Sequence, residues 1–192
     1  MVNKLKILEK QIANRYMEDG LWDMYLGLMA FAFGLTLLLD ISYLAAIAVS
    51  IGFALQRLGK NLVTFPRIES IRLQRPRKAG VAAIFSAVLI LGVMVFLLFM
   101  LGGENPVKTF VADNKLLFLA VIWGGSIALA GLSLQVKRYY LYALLIFYAV
   151  IFSDRLGGLG LDLTISGLLI MLTGLIVMVR FMRKYPIVDQ QD

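Results

Sequence analysis

The most unusual run of charged side chains in this sequence lies in a glycine-rich segment between two apolar stretches. It extends from Ser153 to Asp162 and carries Asp154, Arg155 and Asp162. Its glycines permit a tight chain path that would bring both carboxylates near the guanidinium group. We expect these residues to form an acidic outer vestibule that attracts cations or a basic ligand. The alternative is ordinary solvated loop charge.

A second charged segment, residues 59–79, is strongly basic. Pro66 and Pro76 lie within it and favour an extended rather than a helical chain between them. Five of its cations are predicted to contact anionic lipid headgroups at the cytoplasmic face, each contributing about 1 kcal/mol; they are Arg67, Arg72, Arg75, Arg77 and Lys78. In the alternative interpretation, the basic residues only fix the membrane topology.

The residue types that are missing exclude several chemistries. The chain has no cysteine and no histidine, so disulfides, thiolate nucleophiles, histidine-bound zinc or haem and Ser-His-Asp hydrolysis are excluded within it. No nucleotide-binding loop and no metal-ligand set is recognisable. The sequence therefore predicts a protein that is not an enzyme, without a cofactor and without a metal.

Composition identifies the solvent in which the chain folds. It is 60% hydrophobic and 16% charged, with a mean hydropathy of +0.84. Soluble domains are nearer half apolar and a quarter charged, so the bilayer must cover much of this surface. The net charge of +7 belongs mostly to segments that flank apolar runs, which favours membrane orientation over nucleic-acid binding.

The predicted fold is all-α: a polytopic bundle of six transmembrane helices arranged as three consecutive hairpins over residues 21–179. A span needs roughly 20 residues, and the apolar runs lie at 21–39, 42–58, 80–101, 116–134, 139–153 and 161–179. The run at 139–153 is the shortest, so it begins nearer Val136, crosses a thinned bilayer or forms a re-entrant segment.

The basic residues give the bundle its orientation in the cytoplasmic membrane. Placing both termini and the 59–79 loop inside leaves only Lys108, Lys115 and Arg155 outside, among 19 lysines and arginines. Residues 1–20 are predicted to form a basic amphipathic helix in the headgroup plane, or a solvated helical tail. Residues 180–192 are predicted to form a cytoplasmic tail.

Polar and small residues within the runs indicate packing rather than transport. Charged side chains are missing from the predicted bilayer centre, which counts against proton relays. The hydroxyls there, such as Thr36, Ser50 and Ser126, are expected to bond the preceding helical turn. Small residues four apart mark helix contacts within the bundle or in a homo-oligomer; they are Ala46, Ser50 and Ala54, Ala79, Ala83 and Ala87, and Ala30 with Gly34.

One short motif carries a resemblance. Phe65-Pro66-Arg67-Ile68, followed by Glu69-Ser70-Ile71, is similar to the Tyr-Pro-Arg-Ile-Gly-Tyr-Val-like loop of uncharacterised small multi-pass bacterial membrane proteins. That resemblance implies a membrane bundle and no activity. Asp19-Gly20 also begins the signature of metal-dependent phosphatidyltransferases, but the Ala-Arg pair that should follow is missing, so that resemblance is rejected.

These patterns favour a non-enzymatic binding, accessory or structural membrane component. The second hypothesis is a small transporter, channel or substrate-capturing subunit that is entered from the acidic outer vestibule. Its size resembles the substrate-binding subunits of vitamin-type importers, although the short first outer loop fits them poorly. A third hypothesis is a lipid-modifying enzyme that works through Asp154 and Asp162. The expected partners are membrane lipids and further copies of the chain, not nucleic acid.

Overall fold

A computed structural model describes residues 18–41, 43–68, 110 and 113–186 of this chain. Across those ranges every regular element is helical, so the all-α prediction is confirmed for them. The predicted amphipathic helix before residue 18, the apolar run at 80–101 and the loop beyond residue 68 lie outside the described residues. The helices are α1 (Leu21–Leu39), α2 (Tyr43–Gly59), a π-helical turn (Lys60–Thr64), α3 (Phe65–Ile68), α4 (Lys115–Leu134), α5 (Arg138–Ile151), α6 (Ser153–Leu156) and α7 (Leu159–Lys184).

Three of these helices are long and apolar enough to cross a bilayer: α1, α4 and α7. They have 19, 20 and 26 residues, and a span needs roughly 20. The helices α2 and α5 coincide with two further predicted runs but have only 17 and 14 residues. The structure therefore supports a membrane protein with at least three candidate spans.

The chain forms two compact units, one from residues 1–76 and 156–192 and the other from residues 77–155. In the second unit, α4 and α5 form a helical hairpin. Gln135 ends α4 in the left-handed conformation, with φ of 55°, and its N–H bonds the carbonyl of Gly131. Fully buried Ala120, Ile146 and Val150 belong to this unit.

In the first unit, α1 and α2 form a hairpin whose turn has the same construction. Asp40 ends α1 with φ of 54° and donates its N–H to Thr36. Left-handed caps of this kind satisfy the last carbonyls of a helix and reverse the chain within a few residues. The first of the three predicted hairpins, between the apolar runs at 21–39 and 42–58, is therefore present.

The first and last helices pack backbone against backbone. Three glycines of α1 or its cap and three of α7 occur every seventh residue, and they meet in antiparallel order; the pairs are Gly20 with Gly174, Gly27 with Gly167, and Gly34 with Gly160. A Cβ added at Gly27 would lie 2.4 Å from the backbone nitrogen of Met171. No side chain fits at such a distance, so only glycine permits this approach. We call this contact the glycine seam.

The second helix does not end where the sequence predicts. Gly59 has ordinary helical angles, and the chain continues through the π-helical turn into α3. The prediction of a loop from residue 59, extended after Pro66, is wrong for residues 59–68. Pro66 has no N–H to donate to the preceding turn. The π-helical turn just before it already departs from the regular α-helical hydrogen-bond pattern, so the helix can continue without that bond. The last helix likewise continues past residue 179 to Lys184.

The glycine seam predicts a sharp difference between two Gly→Ala substitutions. At Gly27 the new methyl group would meet backbone atoms of α7, whereas at Gly125 of α4 it would meet nothing within 4 Å. Gly27→Ala should therefore lower the free energy of unfolding by roughly 1–3 kcal/mol, while Gly125→Ala should leave it unchanged or raise it. Thermal unfolding of both variants in detergent measures the difference. Equal midpoints would refute backbone contact at Gly27.

Candidate functional site

The carboxylate of Asp19 is the point where the chain concentrates its buried polar contacts. Oδ1 accepts the backbone N–H of Leu21 at 3.2 Å, which caps the start of α1. Oδ2 accepts the Thr64 hydroxyl at 2.6 Å and also receives Nζ of Lys60 in an ion pair. Both oxygens of the carboxylate therefore accept hydrogen bonds. Oδ2 links Asp19, at the start of α1, to Lys60, which lies 41 residues later in the chain. We call Asp19, Lys60 and Thr64 the ionic lock.

The π-helical turn gives the lock its shape. In this wide turn the Phe65 N–H donates to the carbonyl of Lys60, which is five residues earlier. In an α-helix the acceptor would be the residue four positions earlier. Lys60 and Thr64, at the two ends of that turn, both face α1 and reach the same oxygen of Asp19. Such turns are rare and occur often at functional sites. Leu21 packs against Gly59, so α2 approaches α1 closely just before the lock.

All three members of the lock are removed from solvent. Asp19, Lys60 and Thr64 have exposed fractions of 0%, 3% and 1%. Burial lowers the pKa of the Lys60 ammonium below its usual 10.5, and the Asp19 carboxylate partly offsets this by charge attraction and hydrogen bonding. A charge buried in this way is tolerated only beside a well-placed partner.

A second buried acid lies one helical turn beyond the lock. Asp23, in the first turn of α1, is fully buried, and its negative charge also favours the protonated form of Lys60. The N-terminal end of α1 adds a partial positive charge that suits both acids. Next to Asp19, Glu18 accepts a bond from Lys184 of α7 at 3.2 Å on the exposed surface. Two adjacent acids therefore tie the start of α1 to α2 on one side and to α7 on the other.

The predicted lipid-contact residues lie partly outside the described residues. Of the five cations, only Arg67 is described, in α3. It is half-buried, and its Nη1 donates to the carbonyl of Val63 at 2.8 Å. Arg72, Arg75, Arg77 and Lys78 lie beyond the described part of this segment, so the lipid contact stays a prediction.

The predicted vestibule residues differ in exposure. Asp154 and Arg155 of α6 are exposed, whereas Asp162 in the first turn of α7 is 8% exposed. Within the described residues, Oδ2 of Asp162 has no hydrogen-bond partner. The vestibule itself stays a prediction.

The predicted role of the hydroxyls is confirmed at four positions. Thr36, Ser50 and Thr173 donate to carbonyls four residues earlier at 2.9, 3.1 and 2.8 Å, and Ser126 bonds Ile122 in the same way. The small-residue prediction is confirmed at Ala30, which is buried, and at Gly34, which contacts α7. The stripe of Ala46, Ser50 and Ala54 is exposed in the described structure.

The ionic lock was not predicted from the sequence. Lys60 lies among the basic residues that are predicted to fix topology, and Asp19-Gly20 begins a phosphatidyltransferase signature that does not continue. The missed signal is the spacing of Asp19 and Asp23, which places two acids on one side of a helix that starts at the predicted cytoplasmic face. Acids at that position need cationic partners, and Lys60 follows the next apolar run directly.

The side chains of the lock and of Asp23 define the chemistry that this cluster can support. In the described ranges, no group of three or more acidic, histidine or cysteine side chains could hold a metal ion. The cluster provides one ammonium group, two carboxylates and a hydroxyl, which can hold a proton or a charge. Comparisons with protein-family models, curated proteins and solved structures found no match.

The lock predicts strongly non-additive effects on stability. Asp19→Asn leaves Lys60 buried beside a neutral amide, and Lys60→Met leaves Asp19 without its cation, so each should cost about 3–5 kcal/mol. The double variant removes both charges and should cost less than the sum of the singles by more than about 1 kcal/mol. Denaturant unfolding of the four proteins measures the coupling, and Asp154→Asn serves as the exposed control. Additive losses would contradict a direct ion pair.

Proposed function

We propose that this chain is a non-enzymatic structural or accessory component of the cytoplasmic membrane, built on a rigid framework formed by its first, second and last described helices. The glycine seam carries this proposal. Two helices whose backbones touch along three successive glycine pairs leave no room between them for a substrate or an ion. The ionic lock holds the second helix to the same framework, so the three helices are suited to act as one fixed support.

The exposed surfaces are suited to contacts with lipid or with other transmembrane helices. On α2, Tyr43 and Phe53 are 64% and 57% exposed, and on α5 Leu141 is 67% exposed. Large apolar side chains at such exposure need lipid tails or another apolar surface around them. We propose membrane lipids, including anionic headgroups at the cytoplasmic face, as the partners, together with further copies of the chain.

The proposal includes six spans with both termini in the cytoplasm. α1 and α7 are antiparallel, as a first span leading outward and a last span leading inward would be. The lock would then lie at the cytoplasmic end of the bundle, near the basic loop and the C-terminal cations of α7. This placement is supported by the distribution of lysine and arginine along the chain.

A small transporter remains the second candidate, because one observation favours it. Asp162 is a nearly buried carboxylate in a helix that can span the membrane, and ionisable groups in such helices commonly mark ion or substrate pathways. In this alternative Asp154, Arg155 and Asp162 attract a cation or a basic ligand at the outer face.

The topology is tested with reporter fusions. Fusions after Lys78, Lys137 and Asp192 should report a cytoplasmic location, and fusions after Asn105 and Gly158 an external one, because the basic segments are retained inside. The activity of a reporter that works on only one side of the membrane measures each site. An external signal at Lys137 would show that the six-span arrangement is wrong.

Flux measurements separate the two candidate functions. Purified protein in sealed liposomes should pass sodium, potassium and protons no faster than protein-free liposomes, because the glycine seam leaves no room for an ion between α1 and α7. An added ionophore confirms that the assay detects leakage. Flux above that background, lost in the double variant Asp154→Asn with Asp162→Asn, would overturn the structural proposal and establish the transporter.

A further inference from the structure

The π-helical turn at Lys60–Thr64 interrupts an otherwise continuous helix from Tyr43 to Ile68. Its flanking residues, Gly59 and Phe65, both have ordinary α-helical angles. The turn holds one residue more than an α-helix would at the same place. Because π-helical geometry is rare and short-lived in isolation, surrounding contacts must maintain it.

Two of the described contacts come from a single oxygen atom. Oδ2 of Asp19 binds both the first residue of the turn, Lys60, and the last, Thr64. Each contact restrains one end of the turn, and neither end is free to move along the helix while both are bound. Arg67, in the next turn, donates its side chain to the carbonyl of Val63 inside the wide turn.

We propose that this turn is a charge-controlled joint: the ion pair between Asp19 and Lys60 keeps the turn wide, and neutralising the pair lets it rewind to α-helix. Rewinding removes one residue from the turn. The described helix beyond it, Phe65–Ile68, then rotates by about 100° and shifts by about 1.5 Å along the axis. The charge of the Asp19–Lys60 pair thus determines the direction in which the Arg67 side chain points from its helix.

The charged groups around the joint are few within the described residues. From α1 and its cap, Asp19 and Asp23 act on Lys60. From α7, the residues that pack against Gly20 are Gly174, Val177 and Met178, which carry no charge, and Lys184 is paired with Glu18. Lys60 is therefore the one cation of the described lock, and its pKa is lowered by burial. As the pH is raised, the Lys60 ammonium should therefore lose its proton at a lower pH than a solvent-exposed lysine does.

The chain contains no cysteine, so pairs of spin labels can be introduced without background. A label at exposed Phe65 beyond the joint and a second at exposed Arg183 of α7 report the rotation. A matched pair, Ile51 with Arg183, has its first label before the joint. All three label positions belong to the same compact unit. Distances are measured by pulsed electron resonance on protein in lipid nanodiscs.

The double variant Asp19→Asn with Lys60→Gln removes both charges of the ion pair and leaves Asp23 as the remaining buried acid of the cluster. It should shift the Phe65 to Arg183 distance by several ångströms, on the scale of a 100° rotation about a helix axis, and leave the Ile51 to Arg183 distance unchanged. Arg57→Gln removes an exposed charge from α2 outside the ionic lock and should show the distances of the unaltered chain. A folded double variant with an unchanged Phe65 to Arg183 distance would overturn the proposal.

A titration provides the second test, which does not need the double variant to fold. In the unaltered chain, raising the pH towards 10.5 should shift the Phe65 to Arg183 distance in the same direction. Lys60→Arg stays charged throughout and should show no such shift. A distance that stays constant in the unaltered chain over this range, or that moves equally in the arginine variant, would also refute the joint.

Discussion

A carboxylate that is fully removed from solvent needs its charge balanced and its oxygens occupied, and in this protein that requirement at Asp19 determines where α1 meets the helix that continues from α2. One oxygen caps α1, and the other binds Lys60 and Thr64 of the second helix. The cost of leaving either charge unpaired in a low-dielectric interior is several kcal/mol. The pair is therefore less a source of net stability than a device that permits one register of α2 against α1 and penalises others.

The glycine seam begins at the same place. Gly20, between Asp19 and Leu21, has φ of 73° and lies against Gly174 and Met178 of α7. Its left-handed conformation turns the chain so that Asp19 faces α2 while α1 runs along α7. In lipid, helix association relies on close packing instead of the hydrophobic effect. The close contact of these six glycines therefore stabilises the helix pair, as the burial of large apolar side chains would in water. The lock and the seam together fix both neighbours of α1.

Much of this architecture could be predicted from the sequence because it depends on local properties. Apolar runs located α1, α4 and α7, a three-residue connection located the first hairpin, and hydroxyls within helices bonded the preceding turn as expected. The glycine seam could not be predicted in the same way, since its two halves are far apart in the chain and nothing local pairs Gly27 with Gly167. Two series of glycines with the same seven-residue period were the available signal.

The ionic lock escaped prediction for a different reason. Lysines after an apolar run normally remain in water and orient the protein, so Lys60 had an adequate explanation without a partner. Pro66 likewise indicated the end of a helix, whereas the wide turn before it lets the helix continue. In both cases a tertiary contact with Asp19 outweighed the local preference.

The central claim is that Lys60 and Asp19 form a direct buried pair in the membrane-embedded protein. Solid-state NMR on protein in lipid bilayers can measure the dipolar coupling between the lysine Nζ nitrogen and the aspartate Cγ carbon, with Lys60→Met assigning the signal. The structure predicts a coupling between Nζ of Lys60 and Cγ of Asp19 that corresponds to hydrogen-bond contact, present in the unaltered chain and missing in the variant. If the spectrum shows no lysine nitrogen within contact distance of an aspartate carboxylate, or if the coupling persists in Lys60→Met, the account is contradicted.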